Sequence, residues 1–325
     1  MKLIDIEQAL KELTSGGVVA MPTETVYGLA GHIHSESGLK RIFSTKERPF
    51  FDPLIVHVAN IDDAKKLSSD WTEIHQILAQ SCWPGPLTLI TKKATWINPL
   101  ITSGLDSVGI RCPNHPIALE LLKKIDGGLA APSANKFGKT SPTQAQHVFQ
   151  EFGEEVSILD GGASEVGIES SVVGIQKKDN QWEVLIYRPG FYTPKILEQI
   201  LQQNNIKADV RYAQSPVAPG QLKHHYMPNI PLVIVNSDFN FGHDLNLISE
   251  ALNMKFKSPI LWNLGKDPQL ASRMLYQDLR EFSSKGFDLI VIKRESHHNQ
   301  EDWVGIWNRL NKAKSLILGL EETEL

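Results

Sequence analysis

The stretch GVVAMPTETVYGLAGHIHSESGLKRIFSTKERPFFDPLIVHV, from Gly17 to Val58, decides the fold of the chain and the position of its candidate site. Its apolar run Val18–Met21 is short enough for a buried strand, and Pro22 ends that strand because proline has no N–H for the ladder. The polar loop Thr23–Gly28 begins at the strand's carboxyl end, where ligands bind in open α/β sheets. The sequence therefore predicts that this loop lines a ligand site.

Basic residues follow the loop on a predicted helix, which carries Lys40, Arg41, Lys46 and Arg48. Two prolines then end the helix, and a second predicted strand, Leu54–Val58, carries His57 among apolar neighbours. Arg48 can form a bidentate pair with a carboxylate or phosphate, and Lys46 adds a nearby positive charge. The pattern indicates anion recognition, although charge alone also fits a solvated helix face.

The composition is typical of a soluble globular protein, with 41% hydrophobic and 22% charged residues among 325, enough chain for two domains. The formal net charge of -4 argues against strong nonspecific nucleic-acid binding, which usually needs a basic excess. Two cysteines, Cys82 and Cys112, are too few for a disulfide framework. Since the sequence has neither a signal-peptide pattern nor a run near the roughly 20 apolar residues of a membrane span, a cytoplasmic protein is expected.

The order of predicted elements divides the chain into three parts. Strands and helices interleave over residues 1–202, which predicts a mixed α/β domain. Residues 203–230 lack clear periodicity and are predicted to form a linker. Residues 231–325 alternate strand and helix, which predicts a smaller parallel sheet covered on both faces. This last part contains no GxGxxG or Walker motif, which favours a structural or regulatory role for it.

Two local predictions concern the first part. Ser141 and Pro142 have the character of an N-cap and first residue of a helix that runs to Phe152. Strands at Ser171–Ile175 and Trp182–Tyr187 are separated by a turn-forming Lys-Asp-Asn sequence, which predicts a β-hairpin.

Several ordered motifs together resemble the YrdC-like family, the threonylcarbamoyl-AMP synthases. PTETVYGL, KERP and DPLIVHV of the opening stretch are followed by WPGPLTLI (Trp83–Ile90), VGIRCPNHP (Val108–Pro116), APSAN (Ala131–Asn135), SPT (Ser141–Thr143), LDGG (Leu159–Gly162), GIESSVV (Gly167–Val173) and YRPG (Tyr187–Gly190). The resemblance continues more weakly to the end of the chain and points to the two-domain branch. It implies a twisted mixed sheet with a concave substrate-binding face, followed by a smaller Rossmann-like βαβ domain.

The resemblance also implies an activity, that of a nucleotidyltransferase. L-threonine, bicarbonate and ATP would give L-threonylcarbamoyl-AMP and pyrophosphate, and a downstream transferase complex would use the product to make threonylcarbamoyladenosine in tRNA. The attacking atoms belong to the substrates, so the protein has to position them and neutralise charge. Mg²⁺ would accompany ATP and bind its phosphates mainly through water, so no metal site made by the protein itself is expected.

The motifs transfer the family's binding positions to this chain one by one. The threonine positions are Thr25, His57, Arg111, Ser171 and the backbone at Ala131. The ATP positions are Arg48, Asp52, Ser107, Ser133, Ser141, Arg188 and Tyr226. Arg111 would hold the amino-acid carboxylate, and Lys46 would join Arg48 in neutralising charge. Taken singly, His57, Ser133 and Ser141 also fit structural roles, so the ordered set carries the hypothesis.

The predicted linker contains APGQLKHHYMP (Ala218–Pro228), where the two-domain branch has a signature of the form SPGMKYRHYAP. Leu222 and His224 stand at the lysine and arginine positions of that signature. Because the segment is long and irregular and contains a Pro-Gly pair, residues 215–228 are predicted to be a lid over the nucleotide. Tyr226, with Lys223 or His225, would then reach the phosphates.

Two other function classes remain open at this point. An RNA-binding module would show salt-dependent tRNA binding without ATP, but the acidic balance and the lack of interleaved aromatic and basic residues argue against it. A carbamoyl-transfer domain of hydrogenase-maturation proteins would accompany cysteine-rich zinc segments and an acylphosphatase-like portion, neither of which occurs in this sequence. Neither a membrane partner nor strong direct nucleic-acid binding is expected.

Overall fold

The computed structural model describes residues 1–214 and 225–319. These residues form two compact units, one of residues 1–137 with 141–214 and the other of 138–140 with 225–319. No helix within these ranges is long and apolar enough to cross a membrane.

The first unit is built on a mixed ten-stranded sheet in the order β10-β9-β8-β4-β5-β3-β6-β2-β1-β7. The strands are β1 (Val19–Met21), β2 (Gly28–His32), β3 (Ile55–His57), β4 (Leu87–Lys92), β5 (Ser107–Arg111), β6 (Leu129–Ala130), β7 (Ser157–Ile158), β8 (Ser171–Lys178), β9 (Gln181–Arg188) and β10 (Ala208–Tyr212). The helices are α1 (Ile6–Thr14), α2 (Glu36–Lys46), α3 (Ile61–Leu67), α4 (Glu73–Cys82), α5 (Pro99–Thr102), α6 (Pro116–Lys124), α7 (Ala145–Phe152) and α8 (Pro194–Gln203). The predicted mixed α/β architecture of this part is thus confirmed.

The central strands separate a core face from a site face. Successive side chains of a strand point to opposite faces, and Val56, Leu89 and Ile110 belong to the hydrophobic core. In each strand, the residues directly before and after these core residues must therefore point to the opposite face. There the strand register pairs His57 with Arg111 across β3 and β5, so the predicted histidine and arginine are direct neighbours.

The predicted hairpin is confirmed as β8 and β9, with Lys178 opposite Gln181. The two turn residues, Asp179 and Asn180, have φ angles of 48° and 64°. Aspartate and asparagine tolerate this left-handed conformation better than most residues, and two such residues form the tight turn that suits a twisted hairpin.

Two sequence predictions are wrong in this unit. Ser141 does not cap α7, whose N-cap is Gln144; the Ser141 hydroxyl instead donates to Glu169 Oε1 at 2.6 Å. Part of the predicted linker is a strand, because β10 lies inside residues 203–230 and pairs in parallel with β9. Its sequence, Ala-Asp-Val-Arg-Tyr, alternates apolar and charged residues as a strand at a sheet edge does.

The second unit confirms the predicted βαβ alternation. Its four parallel strands lie in the order β12-β13-β11-β14. They are β11 (Leu232–Val235), β12 (Pro259–Trp262), β13 (Leu289–Lys293) and β14 (Leu316–Leu318), joined by α9 (Phe241–Leu252), α10 (Pro268–Ser284) and α11 (Val304–Ala313). Every side chain of β11 is fully buried, as expected for a strand covered on both faces.

Candidate functional site

The loop after β1 is held in one shape by its own hydrogen bonds and by bonds to distant segments. The Thr23 hydroxyl donates to the Val26 carbonyl at 2.6 Å and accepts from the Val26 N–H at 3.2 Å. The Glu24 carbonyl accepts from the Val166 N–H at 2.7 Å, and the Tyr27 N–H donates to the Pro142 carbonyl at 2.8 Å. The loop is therefore fixed by Pro142 of the SPT motif and by the residue that directly precedes the GIESSVV motif.

Arg111 is the centre of the predicted threonine site. Its guanidinium donates through Nη1 to the Thr25 hydroxyl at 2.9 Å and through Nε to the Gly85 carbonyl at 3.3 Å. Its Nη2 lies 2.8 Å from Glu24 Oε2. All three side chains, of Arg111, Thr25 and Glu24, are buried. An arginine oriented by several fixed partners can present its planar donors to a ligand carboxylate.

His57 lies beside Arg111 on the neighbouring strand and is 4% exposed. Burial, with the charge of Arg111 as the second cause, lowers the pKa of His57 to about 3. The imidazole is therefore neutral at physiological pH, and its Nδ1 has no hydrogen-bond partner among the described residues. A neutral imidazole can offer one donor or acceptor to a ligand without repelling the arginine.

The other two predicted threonine contacts are already engaged in the sheet. The Ala131 N–H donates to the Ile55 carbonyl at 3.0 Å, so a ligand contact at this backbone would fall to the Ala131 carbonyl. The Ser171 hydroxyl accepts from the Tyr192 N–H at 2.8 Å and donates to the Tyr192 carbonyl at 3.1 Å. Gly190 permits this approach, because a Cβ there would lie 2.6 Å from the Ser171 nitrogen.

A second group of predicted residues forms a buried basic cluster, which we define as Lys46, Arg48 and Arg188 around Asp52. These four residues are 1%, 8%, 6% and 5% exposed, respectively. Arg48 Nη2 lies 2.9 Å from Asp52 Oδ2, and the guanidinium also donates to the carbonyls of Asp52 and Pro53 at 3.2 and 3.1 Å. Asp52 therefore has three basic side chains as electrostatic neighbours, those of Arg48, Lys46 and Arg188.

Backbone groups complete this cluster. The Lys46 ammonium donates to the carbonyls of Ser133 and Asn135, which places the APSAN motif against the lysine of KERP. Arg188 donates to the carbonyl and the hydroxyl of Ser170 at 3.0 and 3.1 Å. The two arginines and the lysine thus come from two separate motifs of the sequence, KERP and YRPG.

The titration of the cluster reflects its burial. Burial lowers the pKa of Lys46 well below its usual range, and the neighbouring Arg48 charge adds to this effect. Burial raises the pKa of Asp52, against the opposing influence of Arg48, Lys46 and Arg188. A multiply charged anion would reverse the first effect, because an opposite charge favours the protonated lysine. The cluster is therefore suited to bind phosphates.

A shallow concavity with about 20 Å³ of accessible volume lies on the face of the sheet that carries His57 and Arg111, near the starts of β3 and β5, and opens to solvent. Ser107, Gly109 and Thr88 line it together with the apolar side chains of Ile55 and Ile90. A Cβ at position 109 would lie 3.2 Å from Thr88 Cγ2. Glycine at this position therefore keeps the floor of the concavity open.

The seven predicted ATP residues do not all belong to one unit. Tyr226 lies in the second unit, where its ring stacks on Tyr276 with 5.6 Å between ring centroids. The guanidinium carbon of Arg309 lies 5.8 Å from the Tyr226 ring centroid. Most of the predicted lid, residues 215–224, lies outside the described residues, so its motion and the contacts of Lys223 stay predictions.

Sequence reasoning missed two buried carboxylates, Glu24 and Glu169. Glu24 pairs with Arg111, and Glu169 accepts the hydrogen bond of Ser141. Glu24 lies between two threonines in PTETVYGL, and Glu169 precedes two serines in GIESSVV, so an acidic residue next to hydroxyl residues of a loop was the available signal. Within the part of the chain that the structure describes, no three His, Cys, Asp or Glu side chains are grouped to hold a metal ion.

Comparison with known proteins identifies the family of the chain. Residues 11–190 match the Sua5/YciO/YrdC family, described as "Telomere recombination", and residues 192–315 match the family described as "Threonylcarbamoyl-AMP synthase, C-terminal domain". The threonylcarbamoyl-AMP synthase of Pyrococcus abyssi is 34% identical over 93% of this chain and 91% of its own length. That of Bacillus subtilis is also 34% identical, over 95% of this chain and 92% of its own length.

A solved structure of a relative also has the same fold. The crystal structure of P. abyssi Sua5 complexed with L-threonine matches with a TM-score of 0.84 at 30% identity, and the match covers 98% of this chain and 99% of that one. The chain therefore belongs to the Sua5/YciO/YrdC family and, within it, to the members that also carry the threonylcarbamoyl-AMP synthase C-terminal domain.

Proposed function

We propose that this enzyme makes L-threonylcarbamoyl-AMP from L-threonine, bicarbonate and ATP and releases pyrophosphate. The observation that carries the proposal is the combination of two buried cationic sites in one unit: Arg111 with Thr25, and the basic cluster around Asp52. The first suits an amino-acid carboxylate and the second a triphosphate. The names of the P. abyssi and B. subtilis relatives support the same reaction.

The chemistry needs no covalent intermediate on the protein. The threonine ammonium first loses a proton, and the free amine attacks the carbon of CO2. One C–O π electron pair moves onto oxygen and a second N–H proton passes to water, which gives a carbamate; from bicarbonate the same C–N bond forms with loss of water. A carbamate oxygen then attacks the α-phosphorus of ATP, and the bond to the bridging oxygen breaks so that its electron pair leaves with pyrophosphate. The two cysteines fit this view, because burial raises the pKa of both Cys82 and Cys112 to about 11 and keeps each thiol protonated.

The residues of the first unit would divide the work by charge. Arg111 would hold the threonine carboxylate, with Thr25 and the neutral His57 beside it. Lys46, Arg48 and Arg188 would neutralise the triphosphate as charge develops on the leaving pyrophosphate. The role of Ser107 would be to contact the nucleotide from the concavity of the sheet, and those of Ser133 and Ser141 to contact it from the APSAN and SPT segments.

Magnesium enters this proposal as the counter-ion of ATP, hence as part of the substrate. Asp52, the carboxylate inside the basic cluster, is already paired with Arg48, so phosphate oxygens and water would supply the magnesium ligands. The product is a reactive mixed anhydride, which a cytoplasmic tRNA-modifying transferase would consume to form threonylcarbamoyladenosine.

Pyrophosphate release tests the proposal. Purified protein with ATP, Mg²⁺, bicarbonate and L-threonine should release pyrophosphate, and omission of threonine or removal of dissolved CO2 and bicarbonate should abolish it. L-serine should support a lower rate, since one missing methyl contact changes discrimination by only about 1–3 kcal/mol. Pyrophosphate release that does not exceed the rate without an amino acid would refute the proposed reaction.

A further inference from the structure

The carboxylate of Glu24 is buried without the hydrogen bonds that a buried carboxylate normally has. The residue is 4% exposed, and neither carboxylate oxygen has a hydrogen-bond partner among the described residues. Its contact is the ion pair with Arg111, in which Oε2 lies 2.8 Å from Nη2 without an aligned hydrogen bond. Buried carboxylates are usually hydrogen-bonded because losing water is costly, so Glu24 is equipped to accept bonds from a ligand.

The position of this carboxylate is fixed before any ligand arrives. The Glu24 carbonyl accepts from Val166, and the flanking hydroxyls of Thr23 and Thr25 lie 2.9 Å from each other. The carboxylate therefore stands on a segment held at several points. A preorganised group loses little conformational freedom on binding and gives more of its interaction energy to affinity.

The pair of charges matches a zwitterion. In an α-amino acid the carboxylate and the ammonium group are separated by a single carbon atom, so a site that holds the carboxylate needs an anion close by for the ammonium. Arg111 and Glu24 supply a cation and an anion in direct contact. The ammonium has three donors and the glutamate two acceptor oxygens, so both polar ends of the amino acid can be satisfied together.

Three other groups of the predicted site are less suited to bind an ammonium group. Asp52 is paired with Arg48, Glu169 accepts the hydroxyl of Ser141, and His57 carries no negative charge. We infer that Glu24 binds the α-ammonium group of the amino-acid substrate while Arg111 takes its α-carboxylate. The inference rests on the proposed function, since it gives that reaction's amino-acid site its selectivity for an amine.

Calorimetric titration of three ligands tests this role. L-threonine carries both charges, (R)-3-hydroxybutanoate lacks the ammonium, and L-threoninol lacks the carboxylate. Wild-type protein should bind L-threonine more tightly than either analogue. In Glu24→Gln, affinity for L-threonine should fall about tenfold or more, because a charge-assisted bond becomes a neutral one. Affinity for (R)-3-hydroxybutanoate should stay within about threefold of wild type, which is under 1 kcal/mol.

Glu183→Gln is the matched control, because Glu183 also pairs with an arginine, Arg211, at 2.7 Å in the same unit. It should leave all three affinities unchanged, and thermal unfolding of each variant should show that it is folded. An equal loss of threonine and (R)-3-hydroxybutanoate in Glu24→Gln would mean that Glu24 only orients Arg111 and would overturn the inference. Unchanged threonine affinity would also overturn it. Wild-type protein that does not bind L-threonine would instead refute the proposed function.

Discussion

The two sheets of the molecule bury different kinds of residue. In the first, the central strands bury apolar residues on one face and carry His57 and Arg111 on the other. In the second, β11 and residues 289–292 of β13 are fully buried and entirely apolar. Burying a charge is costly unless it is paired and hydrogen-bonded. The difference fits the proposed function, in which the first sheet keeps a charged group for binding, whereas the strands of the second form its core.

A buried arginine alone does not mark a ligand site, as the second unit illustrates. Arg309 of α11 is 1% exposed, yet it donates to the Gly305 carbonyl of its own helix at 3.2 Å and lies near the Tyr226 ring. Arg111, in contrast, stands on a strand beside an unsatisfied carboxylate and a neutral histidine. The surroundings of the two arginines therefore differ in the way that the proposed function requires.

Removing each arginine should show the largest difference. Arg111→Ala should weaken L-threonine binding by about 2–5 kcal/mol, the usual range for a buried charge pair that loses one partner, and should change ATP binding much less. Arg309→Ala should lower the thermal stability of the protein but leave threonine affinity unchanged. Calorimetry with each ligand measures both effects. Equal threonine affinity in the wild type and Arg111→Ala would remove Arg111 from the carboxylate site.

A substitution in the basic cluster should change the affinity for ATP rather than that for threonine. Arg48→Ala should weaken ATP binding by about 1.5–3 kcal/mol, as expected for a hydrogen bond to a charged group, and should affect threonine less. Arg41→Ala is the control, because Arg41 is an exposed arginine on α2, the helix that ends at Lys46, just before Arg48. If both variants bind ATP as the wild type does, the cluster is structural rather than a phosphate site.

The sequence predicted those elements of the two sheets that depend on a local sequence pattern. The apolar runs of β11 and β13, the hairpin of β8 and β9, and the loop after β1 all follow from periodicity and turn residues. Strand β2 was missed because its sequence, GLAGH, has no β-branched or aromatic residue; its place comes from antiparallel pairing with β1 and β6. The pairing with β6 joins segments that are far apart in the chain.

The sequence motifs predicted which residues belong to the candidate site, but they did not predict which of these residues contact each other. The ordered motifs gave Arg111, Lys46 and Arg48, whereas the Glu24–Arg111 pair joins residues 87 positions apart and has no local signature. The helix N-cap role predicted for Ser141 was wrong for a related reason. A Ser-Pro pair fits a helix start, but a buried carboxylate from a distant motif takes the hydroxyl instead. Contacts between distant parts of the chain thus determine the roles of these side chains, which the local sequence does not specify.

The neutral state of His57 should appear in the pH dependence of stability. Unfolding returns its pKa from about 3 to about 6.5, so between these values the unfolded chain binds a proton that the folded chain does not, and stability falls as pH falls. Between pH 8 and 5 the wild type should therefore lose about 2 kcal/mol more than His57→Gln in chemical unfolding. His34→Gln, at an exposed position, should keep the wild-type profile; a wild-type profile in His57→Gln would contradict the assignment.

The smallest effect is expected at the floor of the concavity. In Gly109→Ala the new Cβ would lie 3.2 Å from Thr88 Cγ2 and 3.6 Å from Ile55 Cγ1. The change should narrow the concavity and weaken ATP binding about two- to fivefold, which is roughly 0.5–1 kcal/mol. Gly242→Ala, in the second unit with no atom closer than 3.7 Å to its Cβ, should have no effect. Equal nucleotide affinity in both variants would separate the concavity from the ATP site.

A crystal structure with L-threonine and the α,β-methylene analogue of ATP tests the central claim most directly, because that analogue cannot release pyrophosphate. The threonine carboxylate should lie about 3 Å from the Arg111 guanidinium, at hydrogen-bond distance, and the phosphates should contact Arg48 and Lys46. Threonine bound elsewhere, with the phosphates away from the basic cluster, would contradict the assignment of the amino-acid and nucleotide sites to this face of the first sheet.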